Sequence, residues 1–126
     1  MKILSLYCGA GGLDEGLKQA GFKTTLAIDV NKDACETMKL NHDCEVINGK
    51  VSDYESSFGD FDIIIGGPPC PEFSRANKNR TFNSCEVDLF WLIVDRIKPS
   101  FYMMENVQDV IRVVNRDNYL VNVSDY

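Results

Sequence analysis

Three observations make this sequence an α/β protein: a parallel sheet in a three-layer arrangement, with helices over both faces. Short apolar runs alternate with amphipathic stretches along the chain. The run Phe61 to Ile65 is almost purely apolar, as expected of a central parallel strand covered on both sides. The chemically unusual residues gather where the apolar runs end, which is where open α/β folds place their ligands.

The elements follow in order. Residues 2–7 (KILSLY) form a first strand that opens into glycines. Leu13, Leu17 and Ala20 recur at helical spacing, and Gly21 supplies the stop. Residues 22–30 (FKTTLAIDV) read as a threonine- and aliphatic-rich second strand. Asn31 caps a helix over residues 32–40, with Ala34, Met38 and Cys35 on its inner face. Residues 44–53 (CEVINGKVSD) read as a third strand with a turn, and Phe61 to Ile65 as the fourth. Residues 66–84 lack periodicity and form a long loop, a length that is usually functional or disordered. An amphipathic helix over 87–97 presents Leu89, Phe90, Ile93, Val94 and Ile97 and stops at Pro99. Phe101 to Met104 is a fifth strand; a short helix at 108–115 and a strand-like run at 119–123 close the chain.

With 126 residues, 44% hydrophobic and 25% charged, there is room for one domain that buries roughly two thirds of its unfolded surface. That excludes a disordered tail, a fibrous repeat and a staple-dependent mini-protein. No run approaches the length of a membrane span, and MKILSLYC is too short in its apolar part to be a targeting segment. Five cysteines (Cys8, Cys35, Cys44, Cys70, Cys85) without C-x-x-C spacing or an export signal read as free thiols in a reducing compartment, cytoplasmic, or nuclear in a eukaryote. No metal site is expected. The net charge is −6: residues 1–70 hold six basic and eleven acidic residues, residues 71–126 seven and eight. A protein that grips a phosphate backbone unaided usually shows a basic footprint, and here the basic residues cluster only at Arg75, Lys78 and Arg80.

In Tyr7-Cys8-Gly9-Ala10-Gly11-Gly12, the glycines permit a tight turn and a close backbone approach ahead of a helix N-terminus. Asp29 ends the next strand, where a carboxylate can accept both hydroxyls of a ribose. The dinucleotide pattern G-x-G-x-x-G is not met, because Asp14 stands where its third glycine belongs. A nucleoside-containing cofactor without a pyrophosphate fits better, and S-adenosylmethionine is the obvious candidate.

The stronger signal is Gly66-Gly67-Pro68-Pro69-Cys70-Pro71-Glu72-Phe73-Ser74. Two prolines stiffen the backbone directly before Cys70, a position unlike that of a packing cysteine, whereas Cys35, Cys44 and Cys85 read as small buried hydrophobes. A thiolate is soft and suits reversible addition to C6 of a pyrimidine. Glu105, at the end of the fifth strand, can face a ring nitrogen and share a proton with it, and Asn106 can hold the Cys70 loop through backbone hydrogen bonds. Arg75 and Arg80 can reach phosphates.

These motifs, in this order, resemble the DNA (cytosine-5) methyltransferases, whose F-x-G-x-G-G, P-P-C-Q-x-F-S and E-N-V patterns appear here at Tyr7–Gly12, Pro68–Ser74 and Glu105–Val107. Here the E-N-V motif follows the proline–cysteine motif by 35 residues, a combination highly specific to that family. The resemblance implies a Rossmann-like S-adenosylmethionine-dependent methyltransferase fold, truncated at its C-terminal end. It implies Cys70 as the nucleophile toward C6 of a cytosine flipped out of double-stranded DNA, and Glu105 as the contact to N3. By the same resemblance Tyr7, Gly9, Ala10, Gly12, Asp29, Val30, Gly67, Pro69 and Leu89 line the cofactor, with Asp29 in place of the usual ribose-binding glutamate.

There are departures. Pro71 replaces the common glutamine, Glu72 puts an acid on a loop that approaches DNA, and Lys50 stands where an aspartate normally reads the adenine amino group, a hydrogen bond lysine cannot accept. Residues 1–126 thus read as a partial catalytic domain. The family's arginine-bearing Q-x-R motif and recognition domain are expected from a second polypeptide, as in a split restriction-modification methylase. The alternatives are an inactive truncated relative, a regulatory protein that binds a methylase, and an enzyme acting on cytosine C5 of RNA.

Overall fold

The computed structural model describes residues 1–69 and 85–106. Five strands, β1 (Ile3–Leu6), β2 (Leu26–Asp29), β3 (Glu45–Asn48), β4 (Ile63–Gly66) and β5 (Phe101–Met104), form one sheet in the order β3-β2-β1-β4-β5. Every neighbouring pair runs parallel. The helices are α1 (Gly12–Gln19), α2 (Lys32–Asn41), the single turn α3 (Val51–Tyr54) and α4 (Cys85–Ile97).

The side-chain alternation of the strands divides the core into two faces. Leu4, Leu6, Ile28 and Ile64 point to one cluster with Phe90, Ile93 and Val94 of α4 and with Val51 and Phe58. Phe90 and Ile93 are fully buried, and each contributes about 1.5–3 kcal/mol through removal of its side chain from water. On the other face Ala27 packs with Met38 of α2 and with Cys8, flanked by Cys44 and Val46. β1 is buried along its whole length. The three-layer reading of the sequence therefore holds.

Local signals act largely as the sequence expects. Gly21, at φ 88°, ends α1: its N–H bonds Lys18 O at 3.0 Å and the Phe22 N–H bonds Leu17 O at 2.9 Å, the paired bonds of a Schellman motif. Asn31 caps α2 by accepting from the Ala34 N–H at 3.0 Å. Lys98, at φ 52°, closes α4 directly before Pro99.

Three expectations are corrected. The second strand starts at Leu26, not Phe22, because the residues before it serve side-chain ties: Thr24 Oγ1 donates to Asp14 Oδ1, and Thr25 Oγ1 accepts from the Ile3 N–H. Residues 51–54 are a helical turn rather than strand. The Tyr54 ring lies over Gly49, where an added Cβ would fall 2.7 Å from it, so the chain has to fold back there. On α1, Ala20 is exposed and Leu13 and Leu17 are half-buried, while the buried residue is Asp14. The helix meets the sheet through that carboxylate, which accepts from Ser5 Oγ of β1 at 3.0 Å. The short helix at 108–115 and the strand at 119–123 lie outside the described residues.

β1 and β4 are in register with Leu6 opposite Gly66. A Cβ at Gly66 would stand 2.5 Å from Leu6 O and 3.1 Å from a ring carbon of Phe90. A main-chain carbonyl inside a parallel ladder has no room to yield, so Gly66→Ala is expected to cost about 2 kcal/mol or more. Gly59→Ala, whose Cβ meets no atom within 4 Å, should stay within about 0.5 kcal/mol of wild type. Urea unfolding midpoints of the two variants check both values.

Candidate active site

The residues singled out by the sequence lie along one edge of the sheet, at the C-terminal ends of its strands. Tyr7 to Gly12 follow β1, Asp29 ends β2 with Val30 after it, Gly67 and Pro69 follow β4, and Glu105 follows β5. Leu89 sits in α4, half-buried against the Leu6–Phe90 cluster.

The loop after β1 is shaped by three consecutive-alternate residues with left-handed backbones: Tyr7 at φ 54°, Gly9 at 52° and Gly11 at 91°. Asp29 holds it. One carboxylate oxygen accepts from the Gly9 N–H at 2.8 Å and the other from the Asn31 N–H, also at 2.8 Å. The acid thus fastens the glycine loop and the start of α2 together. A carboxylate oxygen has two acceptor sites, so each keeps capacity for a ligand hydroxyl. Asn48 braces the same corner from β3, its Nδ2 donating to Asp29 O at 3.2 Å and to Val30 O at 3.0 Å.

The glycines of this loop have different work. A Cβ at Gly11 would fall 2.6 Å from Met38 Sδ and 2.8 Å from His42 Nε2, so Gly11 lets the loop sit tightly on α2. At Gly9 and Gly12 a Cβ would meet no described atom within 4 Å. The loop is packed on its inner side and open on its outer side, a cradle that brings main-chain atoms close to a ligand. Ala10 and Gly12 are exposed there, as is Val30 at the end of β2.

β4 and β5 bring the second half of the site together. The Glu105 N–H donates to Gly66 O at 2.9 Å, extending the ladder one residue past β5. The Glu105 carboxylate is exposed, with Oε2 3.4 Å from where a Cβ of Gly67 would be. Asn106 Nδ2 donates to Pro68 O at 3.1 Å, so the asparagine does hold the proline-rich loop, as its position in the sequence suggests. Gly67 is half-buried and Pro69 exposed. Lys50 is exposed after β3, at the position before α3, and its side chain makes no capping bond to that turn.

Cys70, Pro71, Glu72, Phe73, Ser74, Arg75, Lys78 and Arg80 lie outside the described residues. Cys8, Cys35 and Cys44 are free thiols. Burial, reinforced by the Asp29 and Asp14 carboxylates, pushes the Cys8 thiol far above its ordinary range. Burial and Asp29 raise Cys35, and burial with Asp14 and Asp43 raises Cys44. Cys35 is fully buried, as expected, and Cys44 is only half-buried.

Sequence reasoning passed over Asp14. Its two oxygens accept from Ser5 Oγ and Thr24 Oγ1, joining β1, the first turn of α1 and the approach to β2 beneath the glycine loop. An acid in a first helical turn looks like a solvated residue facing the helix dipole. The signal was its place between Leu13 and Leu17 with hydroxyls on the flanking strands.

Against known proteins, residues 1–124 match the family model described as C-5 cytosine-specific DNA methylase. The Type II methyltransferase M.FnuDI of Fusobacterium nucleatum is 37% identical over 121 residues, 93% of this chain and 35% of that protein. M.AquIA of Picosynechococcus is 34% identical over 123 residues, covering 87% of this chain and 50% of its own. The crystal structure of a candidate DNA modification methyltransferase encoded within an E. coli prophage superposes with a TM-score of 0.68 at 27% identity, over 88% of this chain and 33% of that one. A Pyrococcus horikoshii protein shares the fold, with a TM-score of 0.61 at 23% identity over 91% of this chain and 52% of its own. The chain spans about a quarter to a half of the length of the curated relatives it matches. With its parallel sheet, glycine loop and E-N-V strand end in family order, the chain belongs to the C-5 cytosine-specific DNA methylases.

Proposed function

We propose that residues 1–126 are the donor- and nucleophile-bearing part of an enzyme that methylates C5 of cytosine in DNA, with S-adenosylmethionine as methyl donor. The observation that carries this reading is the junction after β4 and β5. There Glu105 and Asn106 are tied by Gly66 O and Pro68 O to the stretch that leads into Cys70.

The residues of the donor half fit the cofactor. Gly9 and Gly12 leave the outer side of the loop open to it, and Asp29 retains acceptor capacity for ribose hydroxyls. Tyr7, Ala10, Val30, Gly67, Pro69 and Leu89 would complete the lining. When bound, S-adenosylmethionine supplies an electrophilic methyl group. Lys50 would present a cation where the family reads the adenine amino group, so adenine recognition there would rest on packing rather than on an acceptor.

On the substrate side Cys70 would add to C6 of the cytosine, which makes C5 electron-rich. Glu105 would share a proton with N3 as the ring gains charge. From the C5-methylated adduct, loss of the C5 proton to a base and expulsion of the Cys70 sulfur as thiolate would restore the aromatic ring. Neither carbon is open to attack in a stacked base, so the cytosine would be flipped out of the duplex. Cys8, Cys35 and Cys44 are all held toward the neutral thiol while attack requires the thiolate, so none of these three competes with Cys70 for the role; the Cys85 side chain lies outside the described residues.

With a net charge of −6, the grip on DNA would come mostly from elsewhere. The arginine motif and recognition domain would reside on another segment, on the same polypeptide or a separate one. Among the described residues no helix is long and apolar enough to cross a membrane.

Residues 1–126 alone are expected to transfer no measurable tritiated methyl to cytosine-containing DNA, and to do so once a segment with the Q-x-R motif and recognition region is added. In that mixture Cys70→Ala should abolish transfer, and Glu105→Gln should lower kcat on the order of 100-fold. Normal turnover by Cys70→Ala would refute the nucleophile assignment. Iodoacetamide at neutral pH should label Cys70 about tenfold or more faster than Cys8 or Cys35 in the native chain, a difference that disappears in denaturant. Peptide mass spectrometry reads both states.

A further inference from the structure

The Tyr7 hydroxyl makes a bond that neither half of the proposed site requires. It donates to the main-chain carbonyl of Glu86 at 3.2 Å, across 79 positions of sequence. Glu86 is the second residue of α4, the helix into which the segment bearing Cys70 runs. In an α-helix the carbonyl of residue 86 is also the acceptor for the amide of residue 90, and a carbonyl oxygen can take both bonds. The phenol therefore acts on one of the first hydrogen bonds of α4. The ring itself packs against the core cluster that contains Phe90.

At its other end Tyr7 opens the glycine loop, and its φ of 54° lies in a region that bulky L-residues rarely adopt. Local preference does not hold it there; the packing of the ring and the bond from its hydroxyl contribute, beside the bonds of the Cys8 and Gly9 amides to Ile28 O and Asp29. A ligand seated on the loop that favours this backbone also favours the phenol at Glu86 O. By linkage, order at the start of α4 favours the loop geometry that takes the ligand.

We propose that Tyr7 is a positioning residue that couples occupancy of the glycine loop to the order of the first turns of α4. The coupling rests on the reading of Tyr7–Gly12 as the methyl-donor loop and goes beyond it, since lining a pocket does not require the Tyr7 hydroxyl to bond the main chain of α4.

Hydrogen exchange on the full chain tests it, with S-adenosylhomocysteine as probe at concentrations that saturate each variant. In wild type the probe should slow exchange of the Leu89 and Phe90 amides about fivefold, and in Tyr7→Phe less than about twofold. Without probe, Phe90 should exchange faster in Tyr7→Phe than in wild type. A merely structural tyrosine would speed Phe90 by the same factor with and without probe, and that result overturns the coupling. So does bound probe with no slowing at α4 in wild type, a measurement that needs no variant to fold. If equilibrium dialysis finds no binding to wild type, the donor-loop reading fails and the coupling fails with it. The probe-free comparison then still reports whether the Tyr7–Glu86 bond orders α4.

Discussion

Leu6 and Gly66 face each other where β1 and β4 run side by side, and the Leu6 carbonyl stands where any Cβ at residue 66 would have to go. This close approach sets the rest of the arrangement. The strand order β3-β2-β1-β4-β5 means that the chain grows outward from β1 in one direction, then returns to β1's other side and grows outward again. The C-terminal ends of β1 and β4 therefore mark the point where the strand order reverses, which is where open α/β sheets place their ligands. The glycine loop and Asp29 belong to one bank. Gly67, Pro68, Glu105 and Asn106 belong to the other. A wider spacing between β1 and β4 would separate the two banks, and Phe90, which touches the same glycine position, would lose its seat.

Much of this was legible in the sequence because parallel sheets are written plainly. Strands buried on both faces are continuous apolar runs, as in Ile63 to Ile65, and their ends announce themselves in glycine, proline and acid. Helix signals with a local cause, such as Gly21 and Asn31, could be read directly because the atoms they serve are three to five residues away. Features that depend on a distant partner could not. Asp14 is a surface acid by any local rule, and only the pairing of β1 with β2 brings Ser5 and Thr24 to it. The turn at residues 51–54 follows from Tyr54 closing over Gly49, which no periodicity encodes.

The candidate site divides in the same way. Its residue types were recognisable from motif order, but the labour within the motif was not. Gly9, Gly11 and Gly12 are equivalent letters, yet one is fastened by Asp29, one is pressed against Met38 and His42, and one is open. Asp29 read as a ribose acceptor, whereas the fold shows it first as a clamp on two main-chain amides. Such a clamp matters for affinity. A loop already held in its binding geometry by the protein's own donors loses less freedom when a ligand arrives.

Electrostatics then constrains how a polyanion could meet such a site. Of the net charge of −6, residues 1–60, which contain β1, β2 and β3, hold −4, from six basic and ten acidic residues. Asp29 at the ligand edge, with Asp14 and Glu15 in the first turn of α1, adds negative charge beside the glycine loop. A phosphate backbone within about 10 Å of that bank would be repelled at ordinary ionic strength. Residues 61–126 hold seven basic and nine acidic, a net of −2, and Arg75, Lys78 and Arg80 follow Cys70 closely in sequence. In the proposed reaction the phosphates would therefore keep clear of the β1–β3 bank, with only the flipped base crossing toward the donor loop. The acidity of the chain is thus greater in the part that builds β1, β2 and β3, where the proposed donor loop lies, than in the stretch that carries Cys70.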